Sequence, residues 1–377
     1  MNNNEIKVLI VPPTLPLDDS HEYFGGAIGN IAYNLLKHLS RFVEVYAFVS
    51  AYSLTKPLPP NLKLIRIEGK FNRIYGYVKK AKELLKNKNI SVISQLYFFY
   101  GVSFNLLEEI EKYPFVIGMT ELPHPQFEDE ITINPFIAKL GKKMISPLFK
   151  RTLEHCDYLI AVNDAVKKLY SKFIPKENIY VIPYGVDTEH FKYSPLPKNR
   201  NILVVSRLIQ RRNLDYLIEA LSMIKAEYPD VKLHFVGEGP RKEILKNKAK
   251  KFGVENNVVF HGRVSGKDLP NYYKKCYVYC HLSMSDGWNQ TVLEAMASGR
   301  PVITTEAPHN SMVINGKTGY KVTLSPDIIA EKILRLFDDR NLAEKMGKTG
   351  RKVVEKYYNW DVIGKKYYEV YLKAYHM

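Results

Sequence analysis

Short apolar segments alternate with longer helical patterns along the whole of this 377-residue chain. The helical patterns carry apolar residues on one face, as in residues 27–39. The strand-like segments of the first half are 6–11, 43–49, 63–67, 91–96, 115–120, 158–162 and 179–182. Alternation of this kind is typical of βαβ units, and it predicts an α/β fold built on parallel sheets.

One interruption divides the alternating pattern. Residues 188–199 include Pro195 and Pro197 and have no clear periodicity, which predicts a linker. A second series of strand-like segments follows, at 202–205, 232–236, 257–260, 277–281 and 301–304. We therefore predict two doubly wound, Rossmann-like domains, residues 1–187 and 200–358, which face each other across a ligand-binding cleft.

The end of the chain has a different character. Residues 359–377 form an aromatic-rich helical pattern, with Trp360, Tyr367 and Tyr371 at compatible spacing. We expect this helix to cross back and pack on the first domain.

The composition is that of a globular protein. Hydrophobic residues make up 46% of the chain and charged residues 25%, which excludes a disordered or fibrous class. No apolar run approaches the roughly 20 residues of a membrane-spanning helix, and the N-terminal residues do not resemble a signal segment. The three cysteines, Cys156, Cys276 and Cys280, are too sparse for a disulfide framework. These features favour a cytoplasmic protein.

The formal net charge of +16 lies mostly after residue 190. Such a surface favours an anionic partner, whether nucleic acid, anionic lipid or a phosphorylated small molecule. Charge alone leaves these three classes open.

Two segments combine a strand end with groups that bind phosphate. Gly25 and Gly26 stand between the first strand and the first helix, where glycine permits close backbone approach and a helix N-terminus offers unpaired N–H groups. An ordinary tight turn is an equally open alternative there. Arg207 and Arg212 follow the strand 202–205, and two permanent cations at that position can clamp a diphosphate. For either arginine alone, a solvated basic turn is the alternative.

The most specific signal is the string DGWNQTVLEAMASGRPVI, which begins at Asp286. It places Asp286 in a loop after a strand and Glu294 within the following helix. A loop carboxylate can hold sugar hydroxyls, whereas the helix carboxylate can accept both hydroxyls of a ribose. The backbone N–H groups of Asn289, Gln290 and Thr291 begin the helix, where they can face phosphates.

Together these motifs resemble the family 4 retaining glycosyltransferases of the GT-B fold, over nearly the whole chain. The supporting segments occur in the family's order: Gly25-Gly26, IPYGVD at 182–187, VSRLIQRR at 205–212, VGEGP at 236–240, HGRVS at 261–265 and the string from Asp286.

The resemblance implies a donor site for a nucleotide diphosphate sugar, most simply a UDP- or GDP-sugar. Gly26 would present its backbone to the donor phosphates, while Arg207 and Arg212 would bind the diphosphate. In this family the acceptor attacks the face from which the leaving group departs, and the leaving phosphate helps to remove the acceptor's proton. No protein nucleophile is then required.

The same resemblance implies how the rest of the donor is held. The backbone around Arg263 and Val264 would meet the nucleobase. Glu294 would hold the ribose, and Asp286 the transferred sugar. No metal site is expected, because no two aspartates stand two residues apart, as the Asp-x-Asp motif of GT-A enzymes requires.

Four departures from the family's usual residues bear on the identity of the donor sugar. They are Asp286 in place of Glu, Arg212-Asn213 in place of Lys-Gly, Asn289 in place of the second glycine of a Gly-aromatic-Gly step, and Asn310-Ser311 in place of Pro-Glu.

The family often has a catalytic-cleft histidine after the fifth strand of the first domain. His124 is the candidate in this chain, and Glu121 is the alternative for the same position. A structural or solvent-facing role for His124 stays open.

The first domain is expected to bind the acceptor, a glycan or a lipid-linked sugar. Residues 70–88 form a basic amphipathic pattern, which suits an anionic membrane surface, and residues 139–144 add a second basic segment. We favour the simpler alternative for 70–88, a helix packed on the sheet with its lysines in water. Peripheral association with the inner face of the cell membrane stays open.

Three rival classes can be weighed at this point. A nucleotide-sugar epimerase shares the two-domain architecture, but the ordered motifs match the transferases better. A basic nucleic-acid-binding protein would give Asp286 and Glu294 no role, since acids in a phosphate-binding groove repel nucleic acid. A catalytically inactive sugar-binding protein is the third rival. We therefore expect no nucleic-acid partner.

Overall fold

The computed structural model of the chain describes residues 6–11, 17–18, 26–49, 52–53, 57–66, 73–96, 111–120, 150, 152–284 and 287–377. Two compact units are present: unit 1 comprises Met1–Tyr184 and Trp360–Met377, and unit 2 comprises Gly185–Asn359. Within the described residues, no helix is both long enough and apolar enough to cross a membrane.

Unit 1 is built on a seven-stranded parallel sheet in the order β5-β3-β1-β6-β7-β8-β9. Its strands are β1 (Lys7–Val11), β3 (Glu44–Val49), β5 (Leu62–Arg66), β6 (Val92–Leu96), β7 (Phe115–Thr120), β8 (Tyr158–Ala161) and β9 (Ile179–Val181). Two short strands, β2 (Leu17–Asp18) and β4 (Tyr52–Ser53), pair with each other outside this sheet. The described helices of the unit's first segment are α1 (Gly26–Leu39), α2 (Arg73–Asn87) and α3 (Asp164–Tyr170).

The helix at the end of the chain belongs to unit 1. This helix, α10 (Trp360–Tyr375), packs along α1. Gly364 permits the close approach, since a Cβ there would lie 3.1 Å from the backbone carbon of His38. His38 Nδ1 lies 2.6 Å from Asp361 Oδ1, and the hydroxyls of Ser94 and Tyr371 lie 2.9 Å apart. The helix therefore supplies buried aromatic surface and polar contacts to the first unit.

Unit 2 is built on a six-stranded parallel sheet in the order β12-β11-β10-β13-β14-β15. Its strands are β10 (Ile202–Val205), β11 (Leu233–Val236), β12 (Val258–Gly262), β13 (Val278–His281), β14 (Val302–Thr305) and β15 (Gly319–Val322). Its helices are α4 (Leu214–Glu227), α5 (Lys242–Lys251), α6 (Leu269–Lys275), α7 (Gln290–Ala297), α8 (Pro326–Asp338) and α9 (Arg340–Tyr357). The predicted α/β class with two parallel sheets is confirmed.

The segment 188–199, which the sequence marks as a linker, is packed into unit 2. The division between the units falls after Tyr184. Val186 donates its backbone N–H to Tyr358 O at 2.8 Å, and Phe191 is buried against Tyr273. The guanidinium of the fully buried Arg300 donates to Ser194 O. The prolines therefore mark an irregular but anchored segment.

Candidate functional site

The strand order of unit 2 creates a place for a ligand. β10 and β13 are neighbours in the sheet, and from them the strand order runs outward in opposite directions. In doubly wound sheets, ligands bind outside the carboxyl ends of the strands at this reversal. Ser206 and Arg207 follow β10, and Leu282 and Ser283 follow β13. The candidate donor-binding segments therefore start from the two central strands.

Glycines at this edge let neighbouring strand ends approach closely. Gly237, directly after β11, has a φ of +133°, and its N–H donates to Gly262 O at 2.7 Å. A Cβ at residue 237 would lie 2.0 Å from Ser206 O, and one at Gly239 would lie 2.4 Å from Leu208 O. These contacts explain why the VGEGP segment needs its two glycines.

Arg212 lies on a short 3₁₀ turn, Gln210–Arg212, beside the end of β13. Its Nη1 lies 3.2 Å from Nε2 of His281, the last residue of β13. Because guanidinium nitrogens only donate, His281 accepts through Nε2 and carries its proton on Nδ1. The turn closes at Asn213, whose φ is +53° and whose side chain donates to Leu282 O at 2.8 Å. Arg207 lies two residues after the end of β10, at the same edge of the sheet, and is exposed.

Glu294 lies in α7 and is buried. The hydroxyl of Tyr273, on α6, donates to Glu294 Oε2 at 2.8 Å. Burial raises the pKa of Glu294 to about 7, although the hydrogen bond from Tyr273 acts in the opposite direction. The site thus holds a carboxylate that exchanges its proton near neutral pH and accepts hydrogen bonds when ionised.

The first turn of α7 is fixed by further side chains. Tyr279, from β13, donates its hydroxyl to Thr291 Oγ1 at 2.7 Å. Gln290 Nε2 donates to Gly185 O at 2.8 Å. The helix is therefore held to the strand beneath it and to the beginning of unit 2, with its N-terminal N–H groups directed away from the helix body.

A buried hydrogen-bonded cluster, which we call the clamp, joins this helix start to the end of β13. Its members are Ser283, Asn289, Thr305, His309 and Asn310, all at most 3% exposed. Asn289 Nδ2 donates to Asn310 Oδ1, and Asn310 Nδ2 donates to Thr305 O at 2.9 Å. The Thr305 hydroxyl donates to Ser283 O, and His309 Nε2 lies 3.2 Å from that oxygen.

Arg263 and Val264 lie after β12, at one side of this edge. They help to line a cavity of about 610 Å³ that also contacts His234 and His261. His234 Nδ1 and His261 Nε2 are 2.9 Å apart, and burial lowers the pKa of His234 to about 4. The histidine pair is therefore neutral near pH 7.

The structure brings most of the residues nominated in unit 2 to one edge of the sheet, including Arg207, Arg212, Asn289, Gln290, Thr291 and Glu294. Gly26 is the first residue of α1, in unit 1. Gly25, Glu121, His124 and Asp286 lie outside the described residues. Sequence reasoning did not nominate Tyr273 or His281, since neither stands in a motif.

Comparison with known families agrees with the resemblance seen in the motifs. Residues 186–353 match the family described as glycosyl transferases group 1, and residues 25–190 match glycosyltransferase family 4. The fold defines a GT-B protein. The chain belongs to the family 4, group 1 glycosyltransferases.

Individual relatives agree with this assignment. A GDP-mannose-dependent alpha-(1-6)-phosphatidylinositol monomannoside mannosyltransferase of Mycobacterium tuberculosis is 32% identical over 218 residues, covering 52% of this chain and 56% of the relative. The chain thus matches little more than half the length of that protein. An alpha-monoglucosyldiacylglycerol synthase of Streptococcus pneumoniae is 24% identical over 325 residues, covering 80% and 70%.

A solved structure is similar over almost the whole chain. Anabaena HepE, crystallised in complex with UDP, has a TM-score of 0.72 and 16% identity, covering 98% of this chain and 100% of that one. At this identity the match shows the fold alone.

Proposed function

We propose that the protein transfers a hexose-type sugar from a UDP- or GDP-sugar to a glycan or a lipid-linked acceptor, with retention of anomeric configuration and without a metal ion. The observation that carries the proposal is the placement of the buried Glu294 and the cation Arg212 at the strand-order reversal of unit 2. A carboxylate for a ribose and a cation for a diphosphate are the groups that a sugar nucleotide needs.

The residues of unit 2 account for donor binding. The ionised Glu294 accepts hydrogen bonds from the ribose hydroxyls. Arg207 and Arg212 face the diphosphate, and the first N–H groups of α7 add donors of fixed direction. The backbone at Arg263 and Val264 borders the nucleobase. Asp286 is proposed to hold the transferred sugar.

The same cations promote the reaction. As the bond from the sugar's anomeric carbon to the β-phosphate oxygen breaks, negative charge gathers on the diphosphate. The arginines stabilise that charge most strongly in the transition state, which is the part a metal ion has in other enzymes. The acceptor oxygen bonds to the anomeric carbon on the same face, and its proton passes to the departing phosphate. His124, or Glu121 as the alternative, is proposed as the catalytic-cleft residue.

Two relatives support the acceptor class. Their names specify phosphatidylinositol monomannoside and diacylglycerol products or acceptors, both of which are lipids. A chain that uses such an acceptor meets it at a membrane surface. We therefore propose peripheral association with the inner face of the cell membrane.

The first test compares the wild type with Glu294→Gln in thermal-shift titrations with UDP, GDP and ADP. One nucleoside diphosphate should raise the melting temperature of the wild type, because it binds only the folded state. The shift should shrink in Glu294→Gln and persist in Glu331→Gln, a change of an exposed acid on α8 that pairs with Lys332. Absence of a shift with every nucleotide at millimolar concentration would contradict the proposal.

Reaction outcome is tested with the sugar conjugate of the nucleotide that binds. Proton NMR of the glycoside product should show the donor's anomeric configuration, and the rate should be unchanged by EDTA. An inverted product, or loss of activity in EDTA, would refute that part of the proposal.

A further inference from the structure

The clamp ties together two points of the chain that flank the donor-sugar segment of the sequence. Ser283 lies two residues after the end of β13, and Asn289 directly precedes α7. Ser283 is bound to Thr305, the last residue of β14, and Asn289 is bound to Asn310, in the turn that follows β14. Because every member is buried, a missing partner would leave an amide or carbonyl without a hydrogen bond. The turn therefore sets the separation of strand end and helix start.

The body of α7 is secured without the clamp. The hydroxyl of Tyr273 donates to Glu294, and that of Tyr279 donates to Thr291. Neither hydrogen bond involves the turn after β14. Removal of the clamp should therefore leave the ribose-binding carboxylate in place. Removal of the clamp should free the start of α7 and the chain at the end of β13.

Two departures from the family's usual residues meet in the clamp. Asn289 stands in place of a glycine and Asn310 in place of a proline, and their side chains bond each other. Glycine has no side chain and proline has no side-chain acceptor, so the usual pair cannot form this contact. The two departures are therefore linked by one hydrogen bond.

We propose that Asn310, acting through Asn289, is a positioning residue for the transfer step. It fixes the first turn of α7 and the end of β13 for the sugar and phosphate end of the donor, while Glu294 holds the nucleoside end independently. This inference rests on the proposed glycosyl transfer.

The test separates binding of the nucleoside from turnover. Asn310→Ala and Asn289→Gly each remove the bond between the two asparagines. Each should lower kcat for transfer at least tenfold and leave the Kd of the free nucleoside, the part of the donor that Glu294 holds, within twofold of the wild-type value. The double variant should be no slower than the slower single variant, because both changes remove one contact. Asn289→Gly keeps the test available if Asn310→Ala does not fold.

Asn257→Ala is the matched control. Asn257 is also 3% exposed and donates to Pro229 O at 2.9 Å and Val231 O at 2.8 Å, but it stands at the amino end of β12. It should lower the melting temperature and leave kcat within twofold of wild type. An equal loss of kcat in the control, or multiplicative losses in the double variant, would overturn the positioning role. Absence of transfer by the wild type would overturn the proposed function itself, and a wild type that transfers sugar with unaffected clamp variants would overturn only this inference.

Discussion

The hydroxyl of Tyr273 donates to Glu294 Oε2 at 2.8 Å, and both side chains are buried in unit 2. The two residues stand on α6 and α7, so a contact between helices prepares the carboxylate. Burial alone would favour the neutral acid, which donates a hydrogen bond instead of accepting two. The tyrosine shifts the balance back towards the ionised form that a ribose requires.

We expect Tyr273→Phe to move the pH dependence of nucleotide binding. Binding by the wild type should strengthen as the pH rises through about 7, where Glu294 loses its proton. Without the phenolic donor, the pKa of Glu294 rises further and the midpoint moves to higher pH. Calorimetric titration of the nucleoside diphosphate from pH 6 to pH 9 would measure it, and a midpoint that does not move would contradict the role given to Tyr273.

Glu294→Gln should stabilise the protein at alkaline pH while weakening nucleotide binding. The pKa of Glu294 is raised from 4.5 to about 7 in the folded state, so the folded protein binds the proton more tightly than the unfolded chain. The free energy of unfolding of the wild type therefore falls between these pH values, by roughly 3 kcal/mol, and stays low above them. Glutamine has no such proton to lose.

Melting temperatures at pH 4.5 and pH 8 would measure the difference between wild type and Glu294→Gln. The variant should gain relative to the wild type only at the higher pH. Glu243→Gln, a change of an exposed acid on α5, is the control and should show no comparable gain. Equal melting temperatures at pH 8 would mean that the charge of Glu294 is compensated.

The strands and the carboxylate of α7 were accessible to sequence reasoning because each leaves a local signal. A parallel strand buried on both faces is a short apolar run, and β10 or β14 shows it clearly. β15 went unrecognised, since its GYKV sequence is short and includes a lysine. Tyr273 and Glu294 are 21 residues apart, and nothing in the sequence distinguishes Tyr273 from its neighbour Tyr272.

The hydrogen bond between Asn289 and Asn310 also could not be predicted from the sequence. Both residues were recognised as departures from the family's pattern, but separately. Only the fold of β14 and the turn after it brings the two amides together.

His281→Ala should reduce transfer without abolishing nucleotide binding. His281 Nε2 accepts from Arg212 Nη1 at 3.2 Å and so directs the guanidinium. When that acceptor is lost, we expect roughly a tenfold fall in kcat, about 1.4 kcal/mol of transition-state stabilisation. His281→Asn retains a side-chain oxygen acceptor and should recover part of the rate. Steady-state kinetics would measure both variants, and equal rates for alanine and asparagine would argue against orientation of Arg212 by this residue.

Gly237→Ala should destabilise unit 2 far more than Gly316→Ala. Gly316 has a φ of +73°, near the left-handed helical region, so alanine there costs roughly 1–2 kcal/mol in backbone conformation. Gly237 has a φ of +133°, outside that region, where alanine is more strained. At Gly237, however, the added Cβ would also lie 2.0 Å from Ser206 O, whereas at Gly316 no atom lies within 4 Å. Urea unfolding of the two variants would measure this difference in the free energy of unfolding, to which the backbone strain and the steric clash at residue 237 both contribute. Comparable losses would mean that the ends of β10 and β11 can separate without cost.

Gly364→Leu should weaken the docking of α10 in unit 1. The side chain would begin 3.1 Å from the backbone carbon of His38 in α1, and backbone at that position cannot move aside as a flexible side chain would. Faster amide exchange across α10 would report the loss. Lys365→Leu, at the adjacent exposed position, is the control and should leave exchange unchanged. Because Tyr371 contacts Ser94 of β6 from the same helix, exchange in β6 should rise together with that of α10. Unchanged protection in both elements would show that the contact at Gly364 does not limit the docking of the helix.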